Sequence, residues 1–138
     1  MPQSLRSRSP TVLLAILGSL LVGLAAFIAC DRVAFLREAS GVPGTIVSLN
    51  AGPAHPNVEF TTSVGQTIQF SENGWISYRV NDRVRVLYDP ADPEHTAWVD
   101  DPGALWFAPS LLTGLGLFAW LLGALAATKL RRIFASNL

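Results

Sequence analysis

The chain has 138 residues, half of them apolar and only 14% charged, a charge fraction low for a soluble protein. Its ten basic and ten acidic side chains cancel, and its single cysteine, Cys30, excludes an intrachain disulfide. The balance conceals a segregation: all ten acids fall between Asp31 and Asp101, while Arg6, Arg8, Lys129, Arg131 and Arg132 sit in the two tails.

After a tail over residues 1–10, the run TVLLAILGSLLVGLAAFIAC, Thr11–Cys30, carries no charge. At ~1.5 Å per residue a helix of this length is about 30 Å long, the thickness of bilayer hydrocarbon. This predicts a transmembrane helix over 11–30. The rival reading is a cleaved secretory signal, with Ala29-Cys30 as a lipoprotein site. The run exceeds the ~7–15 residues of a signal core, and Phe27 stands where such sites hold a smaller aliphatic residue. DRVAFLREAS then extends the helix by a turn or two, with Val33 and Leu36 three apart. GVPG, Gly41–Gly44, is expected to end it, since Gly caps a helix and Pro43 cannot continue one. Residues 31–43 are thus a juxtamembrane helical extension and linker.

The pattern then changes to strands. Thr45–Leu49 is rich in β-branched residues, and Val58, Phe60 and Thr62 alternate with Glu59 and Thr61. Gly65 marks the turn into Thr67–Phe70, which makes a hairpin of the two. Asn73-Gly74 signals a further turn. In VRVLYDPADP, Val84, Val86 and Tyr88 face one way, and Arg83, Arg85 and Leu87 the other. Two Asp-Pro turns, at Asp89-Pro90 and Asp92-Pro93, lead to a fifth strand over Thr96–Val99. Five short strands with turn signals every 8–12 residues predict a small antiparallel barrel or curled sheet over 44–104.

A second run, LWFAPSLLTGLGLFAWLLGALAAT, Leu105–Thr128, predicts another transmembrane helix, with a tail over 129–138. The fold class expected is therefore membrane α+β: two transmembrane helices flanking a five-stranded antiparallel β-barrel-like extracytoplasmic domain. Basic tails against Arg32 and Arg37 on the loop side place both termini in the cytoplasm and residues 31–104 outside it. Ala15, Ser19 and Gly23 recur every four residues in the first span, and Ala119, Gly123 and Ala127 in the second. Such stripes of small residues let helix backbones approach in lipid, within one chain or between copies. Neither span holds an ionisable side chain, which disfavours a transporter, proton relay or channel.

Asp89, Asp92, Glu94, Asp100 and Asp101 crowd oxygen donors together around His95, but without the spacing or the sixth-position Gly of a calcium loop. Asp before Pro more simply starts a turn. His55 and His95 have no second zinc-type ligand at a recognised spacing, and no nucleophile or phosphate-loop motif occurs. Arg79, Arg83 and Arg85 beside Tyr78 and Tyr88 suggest nucleic-acid contact, against which stand the extracytoplasmic side and the negative charge of the loop. A solvated strand face, or one near anionic headgroups, is the simpler reading. No catalytic residue, cofactor or metal is expected.

VEFTTSVGQTIQF followed by NDRVRVLYDPADPEHTAWV resembles the bacterial membrane family called Domain of Unknown Function 3592. The pattern is carried by Val58, Phe60, Gly65, Ile68, Phe70, Asp82, Val84, Val86, Tyr88, Asp89, Pro90 and Pro93. Asn81 stands where that family usually has Gly, and Asn tolerates the left-handed conformation. The resemblance implies an inner-membrane protein with an external β-domain between two helices, and no assigned activity. The expected function is a non-enzymatic interaction or envelope-associated module. The alternative is an accessory subunit of a larger membrane complex assembled through its helices. Expected partners are the lipid bilayer and a membrane protein or second copy, not nucleic acid.

Overall fold

The computed structural model describes the backbone of residues 9–135 and the side chains of residues 10–129. Arg6 and Arg8, and the side chains of Arg131 and Arg132, on which the orientation reading rests, lie outside these. In chain order the elements are α1 (Ser9–Glu38), β1 (Ser40–Leu49), β2 (Pro56–Thr61), β3 (Thr67–Ser71), β4 (Arg83–Tyr88), β5 (Trp98–Val99), α2 (Pro102–Leu105) and α3 (Phe107–Ala135). They divide into two compact units: the helical segments up to Ile28 and from Pro109, and the β-domain, Ala29–Ala108.

In the helical unit, α1 and α3 are both long and apolar enough to cross a membrane by length and composition. They run antiparallel: Gly116 meets Leu21 and Val22, while Gly123, one to two turns further along α3, meets Leu14 and Thr11. The closest approach is at Gly18 and Gly116. A Cβ on Gly18 would lie 2.7 Å from the Gly116 carbonyl oxygen, and one on Gly116 would lie 2.9 Å from that of Gly18. Only hydrogen at both positions allows this backbone contact.

The β-domain is a curled five-stranded antiparallel sheet in the order β3-β2-β1-β4-β5. Alternation decides its faces. Ile46, Val58, Phe60, Ile68, Val84, Val86, Tyr88 and Val99 form the buried core, while Thr45, Thr61, Gln69, Arg83 and Arg85 point outward. Phe60 meets Phe70 edge-on, with ring centroids 5.9 Å apart, and Tyr88 at 5.3 Å. Leu87 departs from the simple alternation: it lies on the register of the two arginines yet is buried.

Two expectations need correction. GVPG does not end in a linker. The helix stops at Glu38 and β1 begins at Ser40, running through Gly41, Pro43 and Gly44 in register with Leu87, Arg85 and Val84 of β4. Pairing of β1 with β2 starts only at Gly44, so the missing Pro43 amide falls where no β2 residue is paired. Gly44 is needed for close packing, since a Cβ there would sit 2.7 Å from Val86 Cγ2. Of the barrel and the curled sheet expected, the structure has the curled sheet. The domain is an open sheet and not a closed cylinder: β3 and β5 stand at opposite ends of the strand order. The fifth strand is also shorter than expected, Trp98–Val99 only.

Candidate functional site

The Asp-Pro segment folds as a turn built from its own side chains. Asp89 Oδ1 accepts from the Ala91 amide at 2.8 Å, and the Asp89 carbonyl accepts from the Asp92 amide at 3.1 Å. Thr96 Oγ1 accepts from the Asp89 amide at 2.9 Å and donates to the Asp92 carbonyl at 2.6 Å. These bonds close the loop between β4 and β5 with Pro90 and Pro93 inside it. Asp82 starts the strand in the same manner, accepting from the Arg79 amide at 2.7 Å, and Asn81 before it takes φ 73°. His95 Nδ1 lies 2.8 Å from Asp92 Oδ1, and that contact raises the imidazole pKa above its ordinary value. His55 caps no such pair. Among the described residues no three acidic, histidine or cysteine side chains converge as metal ligands.

Inside the sheet the decisive polar residue is Glu72, which the sequence reading passed over. It follows β3 and continues the inward register of Ile68 and Phe70, so the carboxylate is carried into the domain, where it is 5% exposed. There Oε2 accepts from the Val99 amide at 3.0 Å and Oε1 from the Asn73 amide at 2.9 Å. One side chain thereby joins the two ends of the strand order. Burial pushes the Glu72 carboxyl pKa up, against the two amides and Arg32, which pull it down. Arg32, on the last turns of α1, lays its guanidinium 3.5 Å from the Trp98 ring centroid. Tyr78 donates to Asp101 Oδ2 at 2.8 Å, and burial followed by this bond raises its pKa. Tyr88 Oη accepts from the Ser63 amide at 3.1 Å, tying β4 to the β2–β3 turn. The available signal for Glu72 was an acid at an inward position of an otherwise apolar alternation.

The outer face of the same sheet is polar and open. Register places Gln69, Glu59, Thr45 and Arg83 in one row across four strands. Gln69 Nε2 donates to Glu59 Oε2 at 2.6 Å. Arg85 Nε stands 3.6 Å from Asp100 Oδ2, with the two side chains 68% and 40% exposed. An exposed pair of this kind contributes ~1 kcal/mol or less to stability, so these charges do little to hold the fold. Arg83 has no carboxylate within ion-pair distance among the described residues. The face is thus a row of charged and amide groups with little structural duty.

In the helical unit, the residues of the small-residue stripes divide. Ala119 and Gly123 are buried and Ala127 is half-buried, on the side of α3 that meets α1. The Ala15, Ser19 and Gly23 stripe, of which Ser19 is next to Gly18 in sequence, is exposed, with open space around Gly23. The Ala15 carbonyl accepts from Trp120 Nε1 at 3.1 Å and from the Ser19 hydroxyl at 2.9 Å.

Compared with known proteins, the chain is 42% identical over 108 residues to the immune protein Tsi4 of Pseudomonas aeruginosa strain PAO1. The match covers 78% of this chain and 73% of that protein. The chain belongs to the Tsi4 family. No family model matches it, and no solved structure does. Within the Tsi4 family, then, this chain contributes a curled sheet whose core residues are apolar and whose outer row is charged.

Proposed function

We propose that this chain is a two-span inner-membrane immune protein, guarding its own cell against a toxic effector by binding it. The observation that carries this reading is the 42% identity with an immune protein over most of both chains. In this reading α1 and α3 cross the bilayer over 11–30 and 105–128, both termini are cytoplasmic, and residues 31–104 stand on the far side. The length and apolarity of the two helices support the spans. The resemblance to the Domain of Unknown Function 3592 is part of the same proposal. The β-domain is an interaction module and not an enzyme: its buried Glu72 is engaged in joining the ends of the sheet, and its free polar groups lie on the outer face. The Gln69-Glu59-Thr45-Arg83 row is the surface offered to the effector, because its charges hold up nothing else.

The reading is tested in co-culture. Cells of the source organism lacking this chain should be outcompeted by siblings that retain it, and the full chain supplied in trans should restore survival. Equal survival of the deleted strain under conditions in which siblings produce their toxic effectors would contradict the proposal. A second reading, assembly into a larger membrane complex through the helices, is favoured by the Gly18–Gly116 contact only if that contact forms between chains; within this chain it is already made.

A further inference from the structure

Trp75 is the largest apolar side chain that the β-domain leaves in the open, at 82% exposed. It does not sit on a loose loop. Its amide donates to the Gly103 carbonyl at 3.0 Å, and its own carbonyl packs so closely on Gly103 that no Cβ fits there. A Cβ on Gly74 would likewise come within 3.0 Å of Ala104 Cα. The next residues fix the direction of the side chain. Ile76 is buried and Tyr78 reaches Asp101, whereas Trp75 and Ser77 are exposed, so burial alternates along the segment with Trp75 outward. A tryptophan free to pack would cover itself; this one sits on backbone that its own amide ties to Gly103.

Its place in the chain is equally defined. Gly103 belongs to α2, the short helix that Asp101 caps and that leads directly into α3. Phe107, the first residue of α3, is the other exposed aromatic of the β-domain unit. Phe107 follows Gly103 by four positions, about 6 Å at a helical rise of ~1.5 Å per residue. The interfacial layer on each side of a bilayer is about 5–8 Å deep. If α3 enters hydrocarbon near its start, the indole is delivered to the depth where tryptophan is most stable, ring in the apolar margin and N–H toward water.

We propose that Trp75 is a membrane-interface anchor, its indole inserted among lipid headgroups beside the start of α3. This rests on the membrane-spanning reading above. It assigns a role to a loop residue that neither the sheet core nor the outer polar row uses. The partner on this spot is the bilayer, and Arg83 and Gln69, which face a protein partner, are on the strands.

The test uses the full chain reconstituted in phosphatidylcholine–phosphatidylglycerol vesicles, with plain or brominated acyl chains as the quencher. The Trp75 signal is the emission lost on Trp75→Phe, a change at an exposed position that removes no core contact. Remaining emission includes Trp120 in α3 and reports on the span itself. The expected result is a blue-shifted Trp75 component whose intensity falls about twofold or more in brominated lipid, together with quenching of the remainder. A Trp75 component that is unshifted and unquenched while the remainder is quenched overturns the anchor and leaves the spans standing. If neither is quenched, the membrane reading fails and takes the anchor with it.

Discussion

Glu72 and Val99 belong to opposite ends of the strand order, yet the carboxylate of one accepts the amide of the other at 3.0 Å. A single side chain completes, in a buried place, what a backbone ladder would complete in a closed barrel. Removing it should therefore cost more than a surface bond. Glu72→Ala leaves the Val99 and Asn73 amides without their acceptor, and the expected loss is about 1–3 kcal/mol. Thermal unfolding of the full chain in detergent, followed by circular dichroism, reads it as a lowered midpoint.

The same carboxyl gives a pH dependence. Its pKa is raised in the folded protein, by burial first. A carboxyl that holds its proton more tightly folded than unfolded contributes stability that is fully present below its unfolded pKa, about 4.3. That contribution is lost as pH rises through the folded value. Comparison of the midpoints of the wild type and Glu72→Gln across pH should show this decline in the wild type alone. Parallel curves would mean that Glu72 titrates alike in both states.

His95 follows the same sign. Asp92, at 2.8 Å, raises its pKa, so the protonated pair is favoured below the ordinary imidazole value and fades as pH rises through the raised one. Nuclear magnetic resonance titration of the imidazole should show a midpoint above the ordinary histidine value. Asp92→Asn should bring it down.

The helix contact separates two glycines that look alike in sequence. Gly18→Leu has no room against Trp120 and the Gly116 carbonyl, whereas Gly23→Leu enters open space. Spin labels placed on exposed positions of α1 and α3 should report an increased separation for the first and an unchanged one for the second. Equal effects would show that the antiparallel contact at Gly18 is not what holds the pair.

Charge reversal on the outer face should act on partner binding and not on folding. Arg83→Glu with Arg85→Glu removes an exposed ion pair of ~1 kcal/mol or less, so the melting midpoint should shift little. Protection in co-culture should fall sharply, because a like-charge contact disfavours an electrostatically matched partner.

Much of this fold was legible from periodicity. Val84, Val86 and Tyr88 announced the core side of β4, and the charge-free runs announced both long helices. GVPG misled because Gly and Pro end helices far more often than they enter a strand; here register, which no local pattern shows, placed Pro43 beyond the β2 pairing. The Ala15-Ser19-Gly23 stripe carried the right composition, but only three-dimensional packing selects Gly18 one position away. Glu72 was missed because a charged residue at an inward position reads as the end of a strand until its acceptors and donors are seen.

The central claim is that the sheet is held across the membrane from both tails. A full chain with Cys30→Ser and Ser77→Cys, the latter an exposed site in the loop before β4, allows it to be read in intact spheroplasts with a membrane-impermeant maleimide. Labelling before any permeabilisation is the result predicted. Labelling that appears only after the inner membrane is breached would place the β-domain in the cytoplasm and contradict the account.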